Sequence, residues 1–193
     1  MIIGPKYVFI STPKCGTHTM YWLLKNHYGG KQKKGAYHQK NVPKIHQKKF
    51  LFTVTRNPYS RAVSAWTSLL KPGAEDRYRK SWSRYCPASD FTSFMELLAN
   101  RRPHTAAGAI ATIPQYAWIG RNKCRAIKIE NLQEEFNELP FVDKFIEIPH
   151  LLKRTDESWK EVITDKSLQF IHKWAGKDFK RFGYQKAAKI SDL

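Results

Sequence analysis

The sequence predicts an α/β protein: one domain over residues 1–193 with a central parallel β-sheet flanked by helices. Three observations carry that expectation. Two strand–turn–helix units follow one another near the N-terminus, which argues for parallel strands joined by crossover helices. A third apolar run with a helix after it recurs later in the chain. No repeat, low-complexity tract or linker divides the 193 residues, a length that buries an ordinary core without disulfides or metals.

In order, "KYVFI" (Lys6 to Ile10) is a short β-rich run that ends in Ser-Thr-Pro and reads as a buried strand meeting a loop. From Thr17 the period changes. Met20, Leu23, Leu24, His27 and Tyr28 share one helical face, and Gly29-Gly30 stops the helix. The basic stretch "KQKKGAYHQKNVPKIHQKK" reads as a surface loop with room for one helical turn. "FLFTVT" (Phe50 to Thr55) is the clearest strand, and "RNPYSRAVSAWTSLL" is a helix with Pro58 in its first turn. Residues 71–89 read as a loop rich in Arg, Tyr and Trp, and residues 90–101 as a helix capped by Asp90. "CRAIKIE" is a third strand, followed by "NLQEEFNEL" with Asn131 as cap. "KFIEIP" is a candidate fourth strand, and "TDKSLQFIHKWAGKDFKRFGY" is one or two helices capped by Thr164.

Charge separates the possible functions. There are 34 basic and 16 acidic residues, a net +18, and no acidic residue occurs before Glu75. Such a field draws anions, but nucleic acid, acidic polysaccharide and a multiply phosphorylated nucleotide all satisfy it. No run of 18 apolar residues exists to span a membrane. The N-terminus lacks the order of a signal peptide, so a cytoplasmic protein is expected. Cys15, Cys86 and Cys124 fit no zinc spacing and suggest reduced thiols.

Ligands of open α/β sheets bind beyond the carboxyl ends of the strands, where two turns draw attention. In "STPKCGTHT" the helix that follows the turn begins near Thr17, so its unsatisfied N–H groups and dipole face any anion in the turn. Gly16 allows close backbone approach, Lys14 adds charge, and Thr17 and Thr19 add hydroxyls. The second turn offers Arg56 just past "FLFTVT", able to grip phosphate with two parallel bonds, and Ser64 two helical turns on. Two anion sites at neighbouring strand ends suit a nucleotide phosphorylated at two separate places.

These residues carry a resemblance. "PKCGTHT" is similar to the 5′-phosphosulfate loop of sulfotransferases, and "RNPYSRAVSAW" resembles their 3′-phosphate motif. "KIENL", "IPHLLKR" and "KDFKRFGY" extend the likeness over most of the chain, nearer the carbohydrate-type and bacterial branch than the small-phenol branch. The resemblance implies a nucleotide-triphosphate-hydrolase-like fold, 3′-phosphoadenosine 5′-phosphosulfate (PAPS) as donor, its desulfated product PAP (adenosine 3′,5′-bisphosphate), a carbohydrate hydroxyl as acceptor, and no metal. It assigns Lys14 to the bridging oxygen and 5′-phosphate, with Cys15, Gly16, Thr17, His18 and Thr19 around that phosphate. It assigns Arg56 and Ser64 to the 3′-phosphate. His18 stands where the family often has Thr or Ser.

Transfer to a hydroxyl benefits from a general base, His or Glu in the family. With no carboxylate before Glu75, a base between the two motifs is a histidine, and His38 and His46 are the candidates. "AYHQKNVPK" resembles the corresponding segment of the carbohydrate-type relatives, which selects His38; the lysines around it are expected to hold it neutral. His46 is expected to face solvent. Arg61, Tyr59 and Trp66 read first as packing residues. Two other functions stay open: a basic nucleic-acid-binding protein, suited by the Trp, Tyr and Arg of residues 77–85, and a P-loop-type kinase, which the missing triphosphate-loop glycines and the arginine after "FLFTVT" disfavour.

Overall fold

The structure, a computed structural model, describes residues 1–32, 38–69, 90–100, 109–149 and 159–193. The expected loop at 71–89, with Cys86, therefore lies outside the described residues. The chain divides into two compact units, Met1–Arg56 with Trp118–Arg154, and Asn57–Ala117 with Thr155–Leu193.

The first unit holds the whole sheet. Its strands are β1 (Ile2–Ile3), β2 (Tyr7–Ile10), β3 (Lys31–Gln32), β4 (Phe50–Thr55) and β5 (Arg125–Lys128), in the order β3-β1-β2-β4-β5. β2, β4 and β5 run parallel, with Ile10 opposite Thr53 and Thr55 opposite Lys128. They are the three strands that the hydrophobic runs predict. β1 and β3 extend that core with antiparallel pairing, Ile3 opposite both Val8 and Lys31. At two residues each, they leave no periodic trace in the sequence.

Helix α1 (Thr17–His27) follows β2 and buries Met20, Tyr21, Leu23 and Leu24. Those side chains meet Phe9, Phe52, Val54 and Ile127 of the sheet and Phe136 of α5 (Leu132–Asn137) in one apolar core. Tyr7 stacks on Phe141 at 4.1 Å, inside an aromatic cluster with Phe52 and Phe136.

"KFIEIP" forms no strand. The Gln133 side chain of α5 takes the place of a neighbouring strand there: its Nε2 donates to the Ile146 carbonyl (3.2 Å) and its Oε1 accepts from the Ile148 N–H (2.8 Å). The backbone is thereby satisfied by a side chain instead of a ladder.

The second unit is helical. It contains α2 (Pro58–Leu69), α3 (Phe91–Asn100) and α6 (Asp165–Phe182), packed around Phe94, Met95, Leu168, Ile171 and Trp174. Asp90 caps α3 as its sequence predicts, accepting from Ser93 N–H at 2.9 Å and Ser93 Oγ at 2.7 Å. Thr164 and Ser167 form a reciprocal capping box at the start of α6. α6 is one element with a kink at Ala175 and ends at Gly183, whose φ is 65°.

Arg61 is completely buried here. Its Nη2 donates to the carbonyls of Ala111 (3.3 Å) and Ile113 (2.8 Å). Tyr59 Oη lies 2.7 Å from His172 Nε2 and accepts from the Ala187 N–H at 2.8 Å. Both residues are packing residues, as the sequence suggests. A short helix, α4 (Gln115–Ile119), spans the point where the chain passes back to the first unit.

Candidate functional site

The turn from β2 into α1 is built by unusual backbone. Lys14 adopts φ 67°, the left-handed region, although it is not glycine. A non-glycine residue held there costs about 1–3 kcal/mol, and such strain gathers at functional sites. Gly16 is left-handed as well, at φ 69° and ψ 27°, and forms the N-cap of α1. A Cβ at Gly16 would also lie 3.0 Å from Ile129 Cδ1, which would have to shift slightly, so the left-handed conformation is the main reason for glycine there. α1 has neither a side-chain cap nor an acidic residue in its first turn. Such a helix start is chemically suited to an anion.

Internal hydrogen bonds fix the turn. Thr17 Oγ1 donates to the Thr12 carbonyl at 3.3 Å and lies 3.1 Å from Ser11 Oγ. Thr12 Oγ1 reaches Thr53 Oγ1 across the strands at 2.8 Å, and Thr53 Oγ1 contacts the Ile10 carbonyl, also at 2.8 Å. The Thr17 hydroxyl thus holds the loop shut, while Cys15 is fully buried with Sγ directed to the Pro13 carbonyl. Lys14 and Thr19 are half-buried and His18 is exposed.

His38 reaches this turn from a distant part of the chain. Its Nδ1 lies 3.1 Å from the Ser11 carbonyl and 3.3 Å from Ser11 Oγ. A carbonyl only accepts, so Nδ1 carries the proton and Nε2 is the lone-pair nitrogen of the neutral ring. Trp118 packs edge-on against the ring with centroids 5.8 Å apart, and Lys40 Nζ sits 4.9 Å from the Trp118 centroid.

Burial pushes the His38 pKa below its ordinary 6.5, with smaller contributions in the same direction from His18 and Lys14, and the Ser11 carbonyl opposes them. The direction is the one that the sequence predicts. The chief cause is desolvation and not the surrounding lysines. His46 lies in a short 3₁₀ turn at the entry end of β4, half-buried, about 17 Å of strand from the exit end.

Arg56 follows β4 directly, three residues beyond the Thr53 that pairs with Ile10. It is half-buried and stands at the same carboxyl edge as the Ser11 turn. Ser64 is on α2, in the second unit, half-buried. Beyond β5, Glu135 Oε2 accepts from the Lys128 N–H at 3.0 Å.

Ser11 and Trp118 have no role in the sequence reading. Ser11 stands within the stretch that drew attention, but its contact to His38 spans 27 residues and leaves no local pattern. Trp118 is one aromatic residue among many.

What these atoms can do is bind a dianion at an uncapped helix start with a cation beside it, and present a neutral imidazole close by. No curated protein and no solved structure gives a significant match to the chain. The model of the Sulfotransferase family matches residues 6–185, taking in the turn, His38, Arg56 and both units. The strained phosphate-type turn and the match across nearly the whole length lead to one conclusion: the chain belongs to the Sulfotransferase family.

Proposed function

We propose that residues 1–193 act as one PAPS-dependent sulfotransferase domain with a carbohydrate hydroxyl as acceptor and His38 as base. The observation that carries the reading is His38 Nδ1 at 3.1 Å from the Ser11 carbonyl, which sets a histidine against the turn that bears Lys14.

The residues divide the work by their chemistry. Lys14 and the N-terminus of α1 hold the 5′-phosphate and take up the charge that develops on it as the phosphate–sulfate bond breaks. Backbone N–H groups around Cys15, Gly16, Thr17 and His18 support the same group, with the Thr19 hydroxyl. Arg56 and Ser64 take the 3′-phosphate, following the sequence resemblance. The acceptor oxygen forms its bond to sulfur in line with the leaving phosphate, and its proton passes to Nε2 of His38. This scheme uses no metal. A cytoplasmic setting belongs to the same proposal, since Cys15 and Cys124 carry thiols and not a disulfide.

Calorimetric titration tests the donor assignment. Adenosine 3′,5′-bisphosphate should bind the natural chain in the micromolar range and ATP more weakly, with Lys14→Ala and Arg56→Ala each losing the bisphosphate. Equal affinity for ATP overturns the reading. A nucleic-acid-binding protein would show the opposite pattern: affinity for DNA or RNA that collapses with salt and no saturable bisphosphate site.

A further inference from the structure

The entry end of the sheet, opposite the Lys14 turn, carries a second chemical signature. Among the described residues the exposed large apolar side chains are Ile45, 82% exposed, and Phe145, 70% exposed. A single exposed apolar residue is ordinary. These two belong to loops that meet at one end of the same strands.

The contacts fix that placement. Ile45 lies in the turn that leads into β4, where Lys49 N–H donates to the His46 carbonyl. Lys49 Nζ then donates to the Gly4 carbonyl at 2.6 Å, and the Phe50 N–H to the Lys6 carbonyl at 3.2 Å. This ties the segment to the β1–β2 turn. On the other side the Phe50 ring lies 6.2 Å from Phe141, at the head of the loop that carries Phe145. Tyr28, at the end of α1, donates from Oη to the Lys144 carbonyl at 2.8 Å. Three loops therefore share the end where β2 and β4 begin and α1 stops.

The charge there is lopsided. Lys6, Lys44, Lys48 and Lys144 are exposed and Lys49 half-buried, against the carboxylates of Asp143 and Glu147 on the third loop. Lysines around protruding Ile and Phe side chains match the interface of an anionic bilayer: ammonium groups meet headgroup phosphates while the apolar tips enter the acyl boundary. A polyanion such as a glycan or a nucleic acid satisfies the lysines and leaves Ile45 and Phe145 with nothing to enter.

We propose that this end docks peripherally on anionic lipid membranes, with Ile45 and Phe145 inserted and the surrounding lysines on the headgroups. The Lys14 turn, at the exit end of the same strands, stays clear of the lipid. The inference is independent of the catalytic reading.

Co-sedimentation of the full chain with vesicles tests it, using phosphatidylcholine alone and phosphatidylcholine with phosphatidylserine. Binding is expected to the second and much less to the first. Ile45→Ser with Phe145→Ser should weaken it at least about tenfold, as should Lys44→Glu with Lys48→Glu. Adenosine 3′,5′-bisphosphate binding, read by calorimetry, should not change in either variant. Absence of binding to the charged vesicles overturns the proposal. So does charged-vesicle binding indifferent to the serine pair, the result expected of a surface that recognises polyanions by charge alone.

Discussion

A general base works in its neutral form, and the surroundings of His38 favour that form. The ring is partly desolvated and the Ser11 carbonyl holds the proton on Nδ1. Because the folded pKa lies below 6.5, the ring is deprotonated at neutral pH, and the acidic limb of kcat/KM should fall below pH 6.5. The stability linkage has the same direction. Unfolded His38 takes up its proton at higher pH than folded His38, so its contribution is complete above pH 6.5 and lost as pH falls through the folded pKa. His38→Ala should keep bisphosphate binding and lose roughly 10²–10⁴-fold in turnover; unchanged turnover would place the base elsewhere.

Trp118 offers a finer test. It is 2% exposed, and its Nε1 has no hydrogen-bond partner among the described residues. Trp118→Phe should fold well and retain most activity. Trp118→Ala should let water reach His38 and move the acidic limb to higher pH, at a stability cost of about 3–5 kcal/mol. The pH profiles of the two variants would show it. Lys14 and His38 were legible as candidates because their types and positions follow from chemistry and resemblance. Ser11 and Trp118 were not, since only the folded chain brings them to the imidazole.

Among the elements, α6 shows best how a helix is held in place. Asp178 on its inner face is fully buried and accepts from the Gln115 N–H (2.9 Å) and the Tyr116 N–H (2.7 Å). Burial raises its pKa, outweighing the opposing effects of Arg61 and the two N–H groups. A carboxyl raised above its unfolded value gives its full contribution below that value and loses it as pH rises through the folded pKa. Asp178→Asn, uncharged throughout, should therefore resemble the natural chain most closely in acid, where Asp178 is itself neutral, and should gain stability relative to it as pH rises. Asp178→Ala strands two buried donors and should cost about 1–3 kcal/mol for each. Urea midpoints at two pH values separate the variants.

The long elements, β4 and α1 above all, could be read from period and stop signals alone. "KFIEIP" misled because its alternation is real. Ile146 and Ile148 do pack against the core, but Gln133 supplies the pairing that a strand would need.

For the whole molecule, net +18 is the dominant quantity. Like charges at that density repel in the compact state, and salt screens them within about 10 Å at 0.1 M. The urea midpoint should rise from low to moderate ionic strength; a flat or falling midpoint would mean that attractive pairs outweigh the repulsion. The parallel α/β core was legible because each parallel strand is an apolar run. The division into two units was not, because neither is a contiguous stretch and no composition change marks Arg56 or Trp118.

That division has a consequence for synthesis. β4 waits for β5, its parallel neighbour some seventy residues downstream, and Thr55 Oγ1 cannot reach the Ile127 carbonyl until nearly two-thirds of the polypeptide exists. Pairings across such a separation close slowly, and a half-made sheet exposes an open edge meanwhile. The nascent chain is thus most vulnerable to aggregation while its helical middle leaves the ribosome, and a chaperone would matter most in that interval.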